Sequence, residues 1–226
     1  MMGGEALVGT EFIRQATPQD IDALVDIYIE CFPERVSEVF GGPDRRVFIR
    51  DYLLVYLALD PPSNWVYVRD SAVVAFIMVP CHYSLWKVML SRAQLFRCVG
   101  HFLKGEYGIP LHLAKRFFSG GFAFTSDPAI KRLQGKPYIH LIAVKATDGK
   151  ERSRGLLGIG RQLLRWVISE HRKKGIHFCW ALVQPTGSRF IPIWKRMGFK
   201  MCPISHGACL ALLGDPDEDL HLSKSC

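Results

Sequence analysis

The chain has 226 residues, with 29 Lys+Arg against 21 Asp+Glu, a formal net charge of +8. Hydrophobic residues make up 49% and charged residues 22%, a composition that excludes an intrinsically disordered chain. No run of about 18 uncharged apolar residues offers a membrane span. Residues 1–11 have neither a basic start nor a long apolar stretch, so no secretory signal is visible and a cytoplasmic location is expected. The seven cysteines are odd in number and form no CxxC pair. They read as reduced core residues, not as a disulfide framework or a zinc site.

The charge is unevenly spread. Residues 1–83 hold 12 acidic and 6 basic side chains, whereas residues 145–200 hold 13 basic and 3 acidic ones, net +10. A basic block of that length points to an anionic partner, with a solvated basic face as the plainer reading.

In chain order, Phe12-Ile13-Arg14 reads as a short strand. Thr17-Pro18-Gln19-Asp20 then reads as a capped helix start, and Ile21, Leu24, Val25, Ile27 and Tyr28 continue it to about Cys31. Residues 32–44 read as a Pro/Gly-containing loop, and a second helix is expected over 45–58. Strands follow at 65–69 and 72–80, joined by a tight turn at Asp70-Ser71. Residues 84–104 read as a helix, with Phe96 and Phe102 in the core and its basic face in water; 110–118 add a shorter helix. Cys81-His82 has the look of a nucleophile pair, but sequence neighbours point apart on a strand.

The second half predicts a strand over 137–144, a polar loop over 145–153, a helix over 158–174 stopped by Gly175, and a buried strand over 176–183. Ser188 caps a helix that runs to Met197, and short strands close the fold near 199–202 and 208–213. The tail, 215–226, is acidic. Gly158 and Gly160 lie where the helix is expected to begin. Glycines there let phosphate oxygens approach the backbone, and the free N–H groups of the first turn bind an anion. The stretch is neither a Rossmann fingerprint nor a P-loop, because no full G-x-G-x-x-G follows a strand and no Gly-Lys-Ser/Thr follows the glycines.

The order strand ending Ala143-Val144, turn Gly158-Ile159-Gly160, helix, strand, then a helix ending Met197-Gly198-Phe199 resembles the GNAT family of acetyl-CoA-dependent N-acetyltransferases. The resemblance covers about residues 137–200 and extends to the opening strand and helix. It implies an α+β fold, a three-layer GNAT domain over 1–214. A twisted mixed sheet of 6–7 strands splays at the acetyl-CoA site, and 81–136 form a family-atypical, mostly helical insertion. It implies that backbone groups of Ile142, Ala143 and Val144 hold the pantetheine arm. It places the pyrophosphate on Gly155, Leu156, Leu157, Gly158, Ile159 and Gly160 and on the N–H of Arg161.

There are departures from the family pattern. The family's Gln/Arg position is Gly155 here, with Arg154 one residue earlier. The family's Tyr, which protonates the leaving thiolate, falls at Trp194, and an indole N–H cannot act as that acid. The family's CoA-contacting Asn falls at Gly187, with Ser188 or Thr186 as its replacement. For a base, His140 is the candidate, on the strand four residues before Val144 and expected on the face of Ile142, with Tyr138 beside it. The plainer alternative is a buried core histidine. The acidic first third, including Glu30, Glu34, Glu38 and Asp44, is expected to attract a cationic amine.

The expected activity is acetyl transfer to a primary amine of a small molecule, an amino sugar being one such acceptor. Two rivals are a catalytically weak GNAT-fold acyl-CoA-binding module and a protein or peptide amine acetyltransferase. A monomer or homodimer is expected, with no nucleic acid, no metal and no integral membrane segment, and with membrane-surface contact through 84–118 left open.

Overall fold

One carboxylate joins the first strand, β1 (Glu11–Gln15), to the first helix, α1 (Ile21–Cys31). Asp20 closes a 3-10 turn, Pro18–Asp20, and accepts from both terminal nitrogens of Arg14, at 2.6 and 2.7 Å, and from the backbone and hydroxyl of Thr17, at 2.8 and 2.9 Å. The Arg14 guanidinium is the main reason that this carboxyl titrates below the ordinary Asp range. The computed structural model describes residues 10–42, 44–59, 61–80, 92–107, 128–133, 135–145, 156–183, 191–204 and 208–214.

The segment expected to be a loop after α1 is largely helical. Pro33 opens a single turn, α2 (Pro33–Arg35), and a π turn, Val36–Phe40, continues it. The reason is local. Pro33 occupies the first helical position, where its missing N–H costs nothing. Gly41, at φ 82°, ends the run in the left-handed conformation that glycine takes freely. Helix α3 (Arg46–Leu59) follows close to its expected bounds.

Strands β2 (Asn64–Arg69) and β3 (Ala72–Met78) form a hairpin through Asp70 and Ser71, both at positive φ, as a two-residue primed turn requires. The strand expected over 137–144 is regular only as β4 (Leu141–Val144). The first sheet is antiparallel in the order β1-β2-β3-β4. A second sheet contains β5 (Cys179–Val183), β6 (Lys200–Pro203) and β7 (Cys209–Leu213) in the order β5-β7-β6, also antiparallel.

Three helices complete the described second half and its approach: α5 (Pro128–Arg132), α6 (Arg161–Lys173) and α7 (Ile191–Arg196). Side-chain alternation along the strands sorts the core into layers. Val66, Phe76, Met78, Leu141 and Ala143 pack under α1 and α3. Tyr67, Ala75, Ile77 and Ile139 pack under α6 with Cys179, Ala181 and Val183 of the second sheet. Trp180, Leu210 and Leu212 pack against α5.

Within the expected insertion, α4 (Arg92–Leu103) departs from the amphipathic reading. Phe96 is 73% exposed and Leu103 78%, and Phe102 is exposed as well. A polar contact holds this helix in place. Buried Asp51 of α3 accepts from Arg97 at 2.5 Å and from Tyr107 at 2.8 Å, and lies 2.6 Å from His101 Nδ1. A carboxylate with three partners fixes orientation in a way that an apolar face cannot.

The thiol reading needs one correction. Cys31, Cys98, Cys179 and Cys209 are free, but Cys202 is disulfide-bonded to a partner outside the described residues. The expected helix start at 84–91, the helix at 110–118, Cys81, His82, Arg154, Gly155, Ser188 and the tail also lie outside them.

Two outcomes test this account. Asp51→Ala should cost about 1–3 kcal/mol and raise deuterium uptake across 92–107; unchanged uptake would show that Asp51 does not hold α4. Gly214, at φ 87°, sits where an added Cβ would collide with the His177 carbonyl. Gly214→Ala should therefore lower Tm by roughly 4–8 °C, and a variant as stable as the parent would refute the close approach.

Candidate active site

The two sheets meet through a short stretch of parallel pairing. The Ile139 N–H donates to the Trp180 carbonyl at 2.8 Å, and the Trp180 N–H donates to the Pro137 carbonyl at 3.0 Å, around a single bridge between Tyr138 and Trp180. Beyond it no ladder joins β4 to β5 among the described residues. The strands are fastened at one end and open at the other. That is the splayed mixed sheet the sequence led us to expect.

The register decides which backbone groups face the opening. The Lys145 N–H donates to the Val74 carbonyl, and antiparallel pairs alternate between bonded and non-bonded. Ala143 is therefore tied to Phe76 of β3, whereas Ile142 and Val144 turn their backbone groups away from β3, toward β5. The Val144 carbonyl already accepts from the Cys31 thiol at 3.1 Å.

His140 is not on the face of Ile142. Its N–H donates to the Met78 carbonyl, while Leu141 is the residue paired with Met78. Two residues thus oppose one, which is a β-bulge. The alternation slips there: Leu141 packs under α1 and α3, Ile139 and Ile142 pack on the α6 side, and His140 turns toward α3. Its ring stacks on Tyr56 at 3.9 Å between centroids, and Tyr138 lies 5.5 Å away on the same side. The expected pairing of His140 with Tyr138 is present, on the opposite face from the one expected.

A polar network surrounds the imidazole. His140 Nε2 is 2.7 Å from the Tyr52 hydroxyl, and Arg35 donates to the same hydroxyl oxygen at 3.2 Å. Tyr56 also hydrogen-bonds Tyr52, in the sense that lowers the Tyr52 pKa. With two donors pointing in, the Tyr52 proton points out to His140 Nε2. This assigns the ring proton to Nδ1, which is buried and meets no partner among the described residues.

Burial first, and then the Arg35 charge, push the His140 pKa well below the usual histidine value. Burial likewise pushes Tyr28 and Tyr52 up, so both stay protonated. Arg35 stays charged. Arg35, Tyr52 and Tyr56 were not singled out in the sequence, and Tyr28 only as an apolar position of the first helix. Tyr52 and Tyr56 are an i, i+4 pair on α3, a weak signal for a shared face, and Arg35 lies in the segment read as loop.

On the other face, a π turn, Leu156–Gly160, precedes α6 and packs beside β4. The helix therefore begins two residues earlier than expected. Gly158 is exposed, and a Cβ built on it meets nothing within 4 Å, so the backbone there is open to a ligand. Arg161 is exposed, whereas Ile159 and Gly160 are buried. Trp194 is partly buried on the α6 side and packs edge-on against Phe199 at 4.8 Å.

No family model matches the chain, and no curated protein matches it. Solved structures do. SsHAT is 17% identical at a TM-score of 0.64, covering 91% of this chain and 98% of its own. The PaiA N-acetyltransferase from Thermoplasma acidophilum, solved in complex with coenzyme A, is 14% identical at a TM-score of 0.55, covering 91% and 99%. A GNAT-family acetyltransferase from Listeria monocytogenes is 11% identical at a TM-score of 0.54, covering 91% and 95%. At these identities the likeness is one of backbone, and by its backbone the chain has the fold of the GNAT acetyltransferases.

Proposed function

We propose that this chain transfers an acetyl group from acetyl-CoA to a primary amine of a small molecule. The observation that carries the proposal is the opening between β4 and β5 with the N-terminal turn of α6 beside it. Ile142 turns its backbone groups and Val144 its N–H to that opening, where an extended pantetheine arm would bond as an extra strand. Gly158 leaves room for phosphate oxygens, and the first N–H groups of the helix have no carbonyl within it to bond. A π turn bonds residue i+5 back to residue i. The Arg161 N–H is thereby used within the helix, and Arg161 contributes through its exposed side chain.

The amine nitrogen attacks the thioester carbonyl, the N–C bond forms, the C–S bond breaks, and the thiolate leaves. N–H groups of the 142–144 strand stabilise the charge on the carbonyl oxygen. A thiol with a pKa of about 8.5 leaves tolerably without a proton donor, which accommodates Trp194 in place of a tyrosine. His140, neutral with its lone pair on Nε2, takes the amine proton there by exchanging its hydrogen bond from Tyr52 for one from the amine, and passes the proton to water. Its low proton affinity keeps it from resting in the charged form. Packing of Trp194 against Phe199 favours a second reading, a CoA-binding module with little turnover.

Thiol release from acetyl-CoA with a panel of amines, amino sugars and peptides discriminates these readings. Tight CoA binding with no thiol release from any acceptor would favour the binding module. Gly158→Asp should shift Tm by no more than about 2 °C yet weaken acetyl-CoA binding by about 100-fold, because it aims a carboxylate at the phosphates; unaltered affinity would move the pyrophosphate elsewhere. His140→Gln should lower kcat by roughly 10- to 100-fold while leaving the acetyl-CoA Kd unchanged, and an unaltered kcat would reduce His140 to a packing residue.

A further inference from the structure

We infer that the Arg35 guanidinium binds a carboxylate carried by the amine acceptor, so that the substrate class is an amino carboxylate rather than a simple amine. The inference rests on the acetyl-transfer reading and sharpens its acceptor. Its ground is an excess of donors around Tyr52. Arg35 has five N–H groups, and among the described residues its one hydrogen bond goes to a neutral hydroxyl. No carboxylate of the described residues pairs with it. Its neighbours are Tyr28, Tyr52, Tyr56 and Tyr138, rings that surround the charge without neutralising it.

Two further donors nearby are unsatisfied among the described residues. The Tyr28 hydroxyl is buried and meets no partner among them, on a ring 6.0 Å from that of Tyr52. His140 Nδ1 is buried and likewise meets none among them, on a ring 5.9 Å from Tyr52. Buried donors without acceptors are costly, and a cation among them costs more. An anion supplies the missing acceptors and the missing charge together.

The count of charges selects the kind of anion. One guanidinium balances one carboxylate, and its planar fork matches that group's two oxygens. A phosphate would bring close to two charges into a site with one cation. The site lies on the α1 and α3 side of the sheet, opposite the turn proposed to hold the pyrophosphate. Glu34 and Glu38, exposed on the same helical segment as Arg35, would draw the ammonium end of a zwitterion while Arg35 holds the acid end.

The test has a binding arm and a turnover arm. Propanoate and inorganic phosphate are titrated into the full chain while the ring signals of His140 are followed by NMR. Propanoate should shift them saturably. Arg35→Gln should abolish the shift, and Arg35→Lys should keep it at weaker affinity, with Tm confirming that both variants are folded. In the turnover arm, thiol release is measured with short amino carboxylates and their matching amides. Arg35→Gln should lower kcat/KM for the acids by about 10- to 100-fold more than for the matching amides, whatever loss both series share through the Tyr52 contact.

Absence of a propanoate shift in the parent chain overturns the inference. So does phosphate saturating at lower concentration than propanoate, or an equal loss for acids and amides in Arg35→Gln. A propanoate shift that depends on Arg35, with no thiol release from either series, would uphold the carboxylate site and overturn acetyl transfer instead.

Discussion

Two backbone hydrogen bonds around Trp180 organise the rest of this molecule. They join a four-stranded and a three-stranded antiparallel sheet by the parallel approach of residues 137–139 to β5. Because the pairing stops there, the edges of β4 and β5 keep unpaired backbone groups. Unpaired strand edges invite another extended chain. The guest proposed above is the pantetheine arm, and the opening is lined by Ile142 and Val144 rather than by Ala143, which β3 already occupies.

The bulge at His140 and Leu141 is the second constraint. A one-residue slip sends every later side chain of β4 to the opposite face from the one that simple alternation predicts. Through it, β4 delivers an imidazole to the helical side and still packs Ile142 on the α6 side. The imidazole then meets the tyrosines of α1 and α3 and the guanidinium of Arg35. In the reading proposed above, the two faces of one strand would serve two ligands: phosphate at the start of α6, and the acceptor at the aromatic cluster. Electrostatics agrees with this division. The basic block follows β4 toward α6, and the side holding Arg35 belongs to the acidic first third of the chain.

Much of the framework was legible in the sequence because its causes are local. The hairpin turn at Asp70-Ser71, the capped start at Thr17 and the apolar stripe of α1 each depend on residues within one or two turns of chain. The glycine turn before α6 was legible for the same reason, although its π geometry was not. The segment 32–44 was misread because proline and glycine mark a helix start and stop as readily as a loop. The insertion helix was misread because its anchor, Asp51, lies 46 residues away from Arg97 in sequence, and no periodicity records such a contact.

The sequence by itself determined the order of elements, the place of the glycine turn before α6 and the position of His140 just ahead of β4. Spacing, capping and backbone freedom act over a few residues, and so they can be read from a string. Only the tertiary structure decided which way His140 faces, that its proton affinity is depressed, and that Arg35 stands beside it without a counter-charge among the described residues. Those facts depend on a bulge set by the partner strand and on burial created by α1 and α3. Desolvation and charge pairing are properties of neighbours in space, which a linear pattern does not specify.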